Sequence, residues 1–307
     1  MSLRLLIAAG MVPVLLGGGC GPADRTQAPP AGARSAKAPS LNAPGPTGAL
    51  AFARTPPDGE QGSDIWVSTD KGSRQLADSH FFSSAPAWSP DGKAIAYECG
   101  SGDSYESSIC LLNTVSGESR ELASSPGAEG IPSFDPSGEK IVFSQNRADG
   151  SDLYVVSTSG GSLSQLTNSR MREFSPAWSP DGRWIAFVGG DGDIYRIDSA
   201  SGTRQRLTNH PGFRDRPSWS PNGRWVAYSR NTSGSEIFKV NVADPGKEIR
   251  ITRLDLEARF PAWSPDGRSI AFSYGGNADI ASISPSGGSM RRLTRGSDSD
   301  LYPAWRR

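Results

Sequence analysis

Pro176-Ala177-Trp178-Ser179-Pro180-Asp181-Gly182 runs directly into Arg183-Trp184-Ile185-Ala186-Phe187, and this stretch decides the fold because the chain keeps repeating it. Its first half recurs as Pro86-Ala87-Trp88-Ser89-Pro90-Asp91-Gly92 and as Pro132-Ser133-Phe134-Asp135-Pro136-Ser137-Gly138. It returns as Pro217-Ser218-Trp219-Ser220-Pro221-Asn222-Gly223, as Pro261-Ala262-Trp263-Ser264-Pro265-Asp266-Gly267, and in short form as Pro303-Ala304-Trp305. Successive aromatic residues of the motif lie 46, 44, 41, 44 and 42 positions apart. That period is the length of one four-stranded propeller blade. A unit of this size cannot bury its apolar face alone and is stable only when stacked on neighbours.

Working outward from the motif gives the strands. Each copy leads into a short apolar run: Ile95-Ala96-Tyr97, Ile141-Val142-Phe143, Ile185-Ala186-Phe187, Val226-Ala227-Tyr228 and Ile270-Ala271-Phe272. A second run follows a loop, as in Ile109-Cys110-Leu111, Leu153-Tyr154-Val155 and Ile194-Tyr195-Arg196. A third closes the unit, as in Leu166-Thr167, Leu207-Thr208 and Ile251-Thr252. With the Trp or Phe strand these make four strands per repeat, bounded by Gly, Asp, Asn and Pro turns. Near the start, Leu50-Ala51-Phe52, Asp64-Ile65-Trp66 and Leu76-Ala77 match the second, third and fourth strands with no first. Tyr302 to Arg306 match a first strand with nothing after it. The expectation is an all-β, six-bladed propeller closed by three N-terminal strands and one C-terminal strand, which removes the exposed edge an open array would present.

The Ser-Pro-Asp-Gly segment reads as a turn: Pro presets φ, Asp tolerates the next position, and Gly takes the left-handed conformation that ends it. Its symmetric recurrence favours a turn over a metal site. The preceding Trp is expected to anchor neighbouring blades, at a cost of roughly 3–5 kcal/mol on truncation to Ala.

Composition narrows the function. Thirty-two basic and thirty-two acidic side chains cancel, so no footprint for nucleic acid or anionic lipid is present. The 36 Gly and 24 Pro make 60 of 307 residues, a turn-rich balance that suits an all-β chain. Residues 1–20 read as an export signal, with Arg4, an apolar stretch from Leu5 to Leu16, and Gly17-Gly18-Gly19 before Cys20. Small residues directly before a cysteine resemble a bacterial lipoprotein signal, which makes Cys20 the expected lipid attachment point. Leu16 lies four rather than three residues before it, and an ordinary secretory signal is the alternative. Gly21 in place of the Asp that retains lipoproteins in the inner membrane leans toward the outer membrane. Residues 21–47 are rich in Pro, Ala, Gly and Ser and read as a tether, and 48–307 as the propeller.

The repeat, with its Pro-Ala-Trp-Ser-Pro-Asp-Gly, Ile-Ala-Phe, Asp-Ile-Tyr and Leu-Thr elements, resembles the TolB-type β-propeller repeat, a relative of the WD-repeat, over about 260 residues. TolB proteins carry an α/β domain before the propeller, and here only the tether stands in that place. The resemblance implies that a protein or peptide partner docks at the channel rim, and with the expected lipoprotein signal the chain reads as a non-catalytic, lipid-anchored, monomeric envelope protein facing the periplasm. The connections entering each Pro-x-Trp motif differ most between repeats, and they place Glu129, Glu173, Arg214, Asp215, Arg259, Asp300 and Tyr302 at that rim. A merely solvated charged rim is the alternative.

Catalytic signals are sparse. No Gly-x-Ser-x-Gly elbow occurs. His80 and His210 are the two histidines, too scattered for the histidine-rich centre of a metal-dependent pectate-fragment lyase, so no metal, cofactor or catalytic residue is assigned. Asp149-Gly150-Ser151-Asp152 and Asp191-Gly192-Asp193 look like fragments of calcium loops, but hairpin turns explain them better. Cys99 and Cys110 fall at facing ends of consecutive strands, which in an exported chain points to a hairpin disulfide, with two separately buried thiols as the alternative. A carbohydrate-binding or carbohydrate-processing propeller is the second functional reading. Trp66, Trp184 and Trp225 are the tryptophans that the motif leaves unexplained, and Trp184 and Trp225 share one blade position.

Overall fold

The computed structural model describes residues 48–57, 62–69, 72–77, 82–100, 107–123, 129–169, 171–231 and 234–306. Cys20, His80, the expected leader and the expected tether lie outside these residues, as does the side chain of Glu129. The described residues form twenty-four strands in six four-stranded antiparallel sheets. Blade 1 holds β1 (Leu50–Thr55), β2 (Asp64–Thr69) and β3 (Gly72–Ala77). Blade 2 holds β4 (Phe82–Trp88), β5 (Ala94–Gly100), β6 (Ser107–Asn113) and β7 (Ser119–Ala123). Blade 3 holds β8 (Glu129–Phe134), β9 (Lys140–Arg147), β10 (Gly150–Ser157) and β11 (Ser164–Gln165). Blade 4 holds β12 (Glu173–Trp178), β13 (Trp184–Gly189), β14 (Ile194–Asp198) and β15 (Arg204–Arg206). Blade 5 holds β16 (Phe213–Trp219), β17 (Trp225–Asn231), β18 (Ser235–Asn241) and β19 (Asp244–Arg250). Blade 6 holds β20 (Ala258–Trp263), β21 (Ile270–Tyr274), β22 (Asp279–Ile283) and β23 (Arg291–Arg292). The last strand, β24 (Ser299–Trp305), pairs with β1 and completes blade 1 as its innermost strand, so the ring closes as the repeat pattern predicts. Among the described residues no helix is long and apolar enough to cross a membrane.

The Ile-Ala-Phe element explains how flat sheets become a ring. The second strand of every blade is covered on both faces, which is why it reads as a continuous apolar run. Its outer two residues are large and point toward the preceding blade; its middle residue is small and receives the large pair of the next. Thus Ile95 and Tyr97 pack with Ala51, while Ala96 packs with Ile141 and Phe143. The same rule places Val142 against Ile185 and Phe187, and Ala186 against Val226 and Tyr228. It continues with Ala227 against Ile270 and Phe272, and closes with Ala271 against Leu50 and Phe52. Large pairs meet Ala in five wedges and Val142 in the sixth, so one position packs every blade against the next.

Two polar devices repeat with it. In the turn, Ser179 Oγ donates to Asp181, Asp181 accepts from the Arg183 amide, and Ser179 Oγ accepts from the Trp184 amide. At the other end of the blade, the Leu-Thr threonine accepts the amide of the third strand: Thr167 from Leu153, Thr208 from Ile194, Thr252 from Ile237 and Thr294 from Ile280, each at 2.9 Å. The preceding acidic residue accepts the hydroxyl in turn, as Asp193 does from Thr208 at 2.7 Å. Arginines complete the set, Arg206 on Asp193, Arg250 on Glu236 and Arg292 on Asp279. Of the acidic residues that resembled calcium-loop fragments, Asp152 and Asp193 are therefore staples within and beside hairpins. Asp191, likewise, accepts from the Tyr195 hydroxyl and the Asp193 amide.

Cys99 and Cys110 are disulfide-bonded, with Cα atoms 5.9 Å apart. The register sets Cys99 opposite Ser108 and Tyr97 opposite Cys110, so the bridge runs diagonally across β5 and β6.

Candidate functional site: the channel ring

Each innermost strand carries one irregularity at the same place. The residue immediately before the motif proline has a positive φ: Ala85, Ile131, Ser175, Arg216, Phe260 and Tyr302, all between 52° and 59°. The pairing register shifts there in every blade. This residue and the proline together oppose one residue of the second strand, a β-bulge that breaks the ladder and re-aims a side chain. Proline is tolerated because the innermost strand is a free edge on that side. Left-handed backbone is unfavourable for side chains with a Cβ, and for the β-branched Ile131 above all. Its sixfold recurrence marks it as a product of the repeat rather than of one site.

The innermost strands enclose a cavity of about 210 Å3 lined by the motif prolines, by Trp88, Phe134, Trp178, Trp219, Trp263 and Trp305, and by Ile131, Arg216, Phe260 and Tyr302. Two kinds of hydrogen bond link neighbouring blades along its wall. Where the residue after the motif proline is Ser, its hydroxyl accepts the next blade's Trp amide, as Ser133 does from Trp178 and Ser218 from Trp263. At two of the positions where it is Ala, its carbonyl accepts the next indole N–H, Ala177 from Trp219 and Ala262 from Trp305.

Three large members of the bulge ring sit together. The Phe260 and Tyr302 rings are 4.3 Å apart between centroids, and the Arg216 guanidinium lies 4.2 Å from the Tyr302 ring and 5.4 Å from that of Phe260. Charged groups surround this cluster. Ser175 donates to Asp215 at 2.8 Å, and Ser84 donates to Glu98 at 2.9 Å. Burial pushes the Glu98 carboxyl up from its usual range, against the opposing pull of the Ser84 hydrogen bond and the Arg216 charge. Burial also raises the Tyr302 hydroxyl, with Asp215 and Glu98 adding to the effect and Arg216 opposing it.

Of the seven residues expected at the rim, the six whose side chains are described separate into two groups. Glu173, Arg214 and Asp300 are 1%, 1% and 2% exposed. Arg214 pairs with Asp193 at 2.8 Å and Glu248 at 2.7 Å, and donates to the carbonyls of Gly212 and His210. Glu173 accepts from Arg204 at 2.5 Å and from Ser169 at 2.9 Å. Asp300 accepts Arg54 in a two-point contact at 2.6 and 2.8 Å. These three are wall residues, because each charge is enclosed with a partner from another strand. Asp215, Arg259 and Tyr302 are half-buried around the cluster, with Arg259 paired to Glu257 at 2.6 Å. His210 is half exposed and bonds Glu248 at 3.0 Å. Arg216, Phe260 and Glu98 were not singled out from the sequence. The signal was present, since the position before the motif proline reads Ala, Ile, Ser, Arg, Phe and Tyr beside otherwise repeating neighbours. Among the described residues no group of three or more His, Cys, Asp and Glu side chains could hold a metal ion.

The crystal structure of TolB from Acinetobacter baumannii superposes with a TM-score of 0.74 at 24% identity, over 84% of this chain and 66% of that one. A TolB homolog of Chlorobium luteolum is 49% identical over 51 residues, 17% of this chain and 12% of that protein. The uncharacterized peptidase YuxL of Bacillus subtilis is 26% identical over 164 residues, 41% of this chain and 25% of the peptidase. The chain thus spans a quarter or less of the length of these two relatives. The family model of the TolB beta propeller domain matches residues 64–305, nearly all of the blades described above, and the chain belongs to that family.

Proposed function

We propose that this protein is a non-catalytic propeller of the bacterial cell envelope that binds a protein or peptide partner at its channel, through Asp215, Arg259 and Tyr302. The observation that carries this reading is the bulge ring: one backbone position, repeated six times, presents six different side chains while the surrounding motif repeats. Variation confined to a fixed frame is how a scaffold acquires a specific surface. Cys20 is the lipid anchor in this reading, and residues 21–47 tether the propeller at the periplasmic face of the outer membrane. Crosslinking in envelope preparations tests it. A discrete adduct formed by the native protein should be lost in Arg259→Glu and Tyr302→Ala variants that melt normally, and its persistence in both would refute the site. Cys20→Ser should shift the protein to the soluble fraction; unchanged detergent-dependent fractionation would refute the anchor.

A sugar ligand is the second reading. It is favoured only by the half-buried indoles of Trp178, Trp263 and Trp305 on the cavity wall, since sugars stack on exposed aromatic faces. Glycan-array binding that depends on these residues would select it.

A further inference from the structure

Arg216 makes no hydrogen bond and no ion pair with any described residue; its contacts are the faces of Tyr302 and Phe260. Other arginines of the ring region are committed: Arg54 to Asp300, Arg214 to Asp193 and Glu248, Arg259 to Glu257. A guanidinium that rests over aromatic rings and pairs with no carboxylate keeps N–H donors uncommitted, and such donors recognise planar oxyanions through two parallel N–H contacts. The bulge at φ 53° re-aims this side chain from the strand edge, and the residue lines the cavity. The Tyr302 hydroxyl, at the same cluster, likewise has no hydrogen-bond partner among the described residues. We infer that Arg216, resting over Tyr302 beside Phe260, is a receptor for a carboxylate group carried by a peptide, its chain terminus in the first instance. This deepens the partner-binding reading above and rests on it.

Size and charge favour that ligand. A cavity of about 210 Å3 is below the range of ordinary small-molecule pockets, so it takes a chain end or one side chain rather than a folded segment. One uncommitted guanidinium balances a single negative charge. Asp215 and Glu98 stand near Tyr302, so a doubly charged phosphate would meet acidic neighbours that a monoanion tolerates better. Burial also pushes the Glu98 carboxyl up, which eases its repulsion of an incoming carboxylate.

The test uses the full-length protein with two labelled random hexapeptide pools, identical except that one ends in a free carboxylate and the other in an amide. The free-acid pool should be retained about tenfold or more over the amide, the ratio that corresponds to one charge-assisted contact of about 1.4 kcal/mol. Arg216→Met, which keeps an unbranched chain against the rings, should bring that ratio to one while total retention of the amide pool stays the same. Arg216→Lys should recover only part of the preference, because the planar fork is lost. Equal retention of both pools by the native protein would overturn the carboxylate site while leaving peptide binding intact. No retention of either pool would overturn both readings, and a preference that survives Arg216→Met in a variant of unchanged melting temperature would place the carboxylate elsewhere.

Discussion

Arg214 ties two blades together through carboxylates it shares with no solvent: Asp193 of blade 4 and Glu248 of blade 5. Burial pushes the Glu248 carboxyl up, but hydrogen bonds from Arg214 and Tyr228, with the Arg214 charge, outweigh it and hold the group at about 2. Replacing Arg214 by Met leaves Asp193 to Arg206 and Glu248 to Arg230, each short of one buried charge-assisted donor, which costs about 1.5–3 kcal/mol. Thermal melting should fall by roughly 5–10 °C. The pH dependence has a definite sign. Because the folded-state value lies below the ordinary one, the Glu248 contribution is present above about pH 4.5 and fades as pH drops toward 2. Removing Arg214 raises the folded-state value, so acid unfolding of Arg214→Met should begin at higher pH than that of the native protein, as denaturant melts across pH 3–7 would show. At this scale the sequence was least legible. Glu173, Arg214 and Asp300 look like exposed rim charges, because nothing nearby in the chain announces their partners. Arg54 lies 246 residues from Asp300, and a buried charge is recognised only when its partner is seen.

Within a blade the narrow fourth strands, some of only two residues, depend on the threonine staple rather than on their own ladder. Thr208→Val keeps the shape but leaves the Ile194 amide buried without an acceptor and Asp193 short of a donor. The cost should be about 1–3 kcal/mol, with Thr208→Ser restoring most of it. Hydrogen exchange at the Ile194 amide is the direct measurement, since a merely looser core would not single out that proton. The strands themselves were readable from alternation and turn residues, and so was the disulfide of β5 and β6. The acidic and threonine positions were also visible as repeats, in Asp-Ile-Tyr and Leu-Thr. Their connection was not, because it joins residues 14 or 15 positions apart across a turn whose geometry spacing alone does not give.

For the molecule as a whole, the period of the Trp motif gave blade number and closure, because strand count and chain length leave one way to pair a surplus first strand. The channel chemistry was legible only as variability at one position, since the bulge that turns Arg216, Phe260 and Tyr302 together is a backbone event. Closure predicts that a chain ending at Ser299 fails as a unit. It loses the pairing of β24 with β1, the Trp305 indole bonded to Ala262, and the Arg54–Asp300 contact. The loss should exceed the roughly 3–5 kcal/mol of an aromatic truncation. The exposed β1 edge should then promote aggregation. A truncated chain that stays monomeric and melts cooperatively within a few degrees of the native protein would contradict the closed ring.

Arg306 donates its amide to the Ala49 carbonyl at 2.8 Å, so the two ends of the described chain meet across one hydrogen bond. Joining residue 306 to residue 48 by a short linker and opening the chain between Asp255 and Leu256, where both side chains are exposed, gives a circular permutant in which every sheet is built from contiguous sequence. Its blades 5 and 6 then meet through side-chain packing and the Ser218–Trp263 and Lys239–Pro285 hydrogen bonds, with no strand exchanged between the ends. Such a permutant should reach the same fold yet unfold faster, since the latch resists opening more than it guides assembly. Stopped-flow unfolding rates would separate these roles: the shared blade is a clasp on a ring whose shape the wedges already dictate.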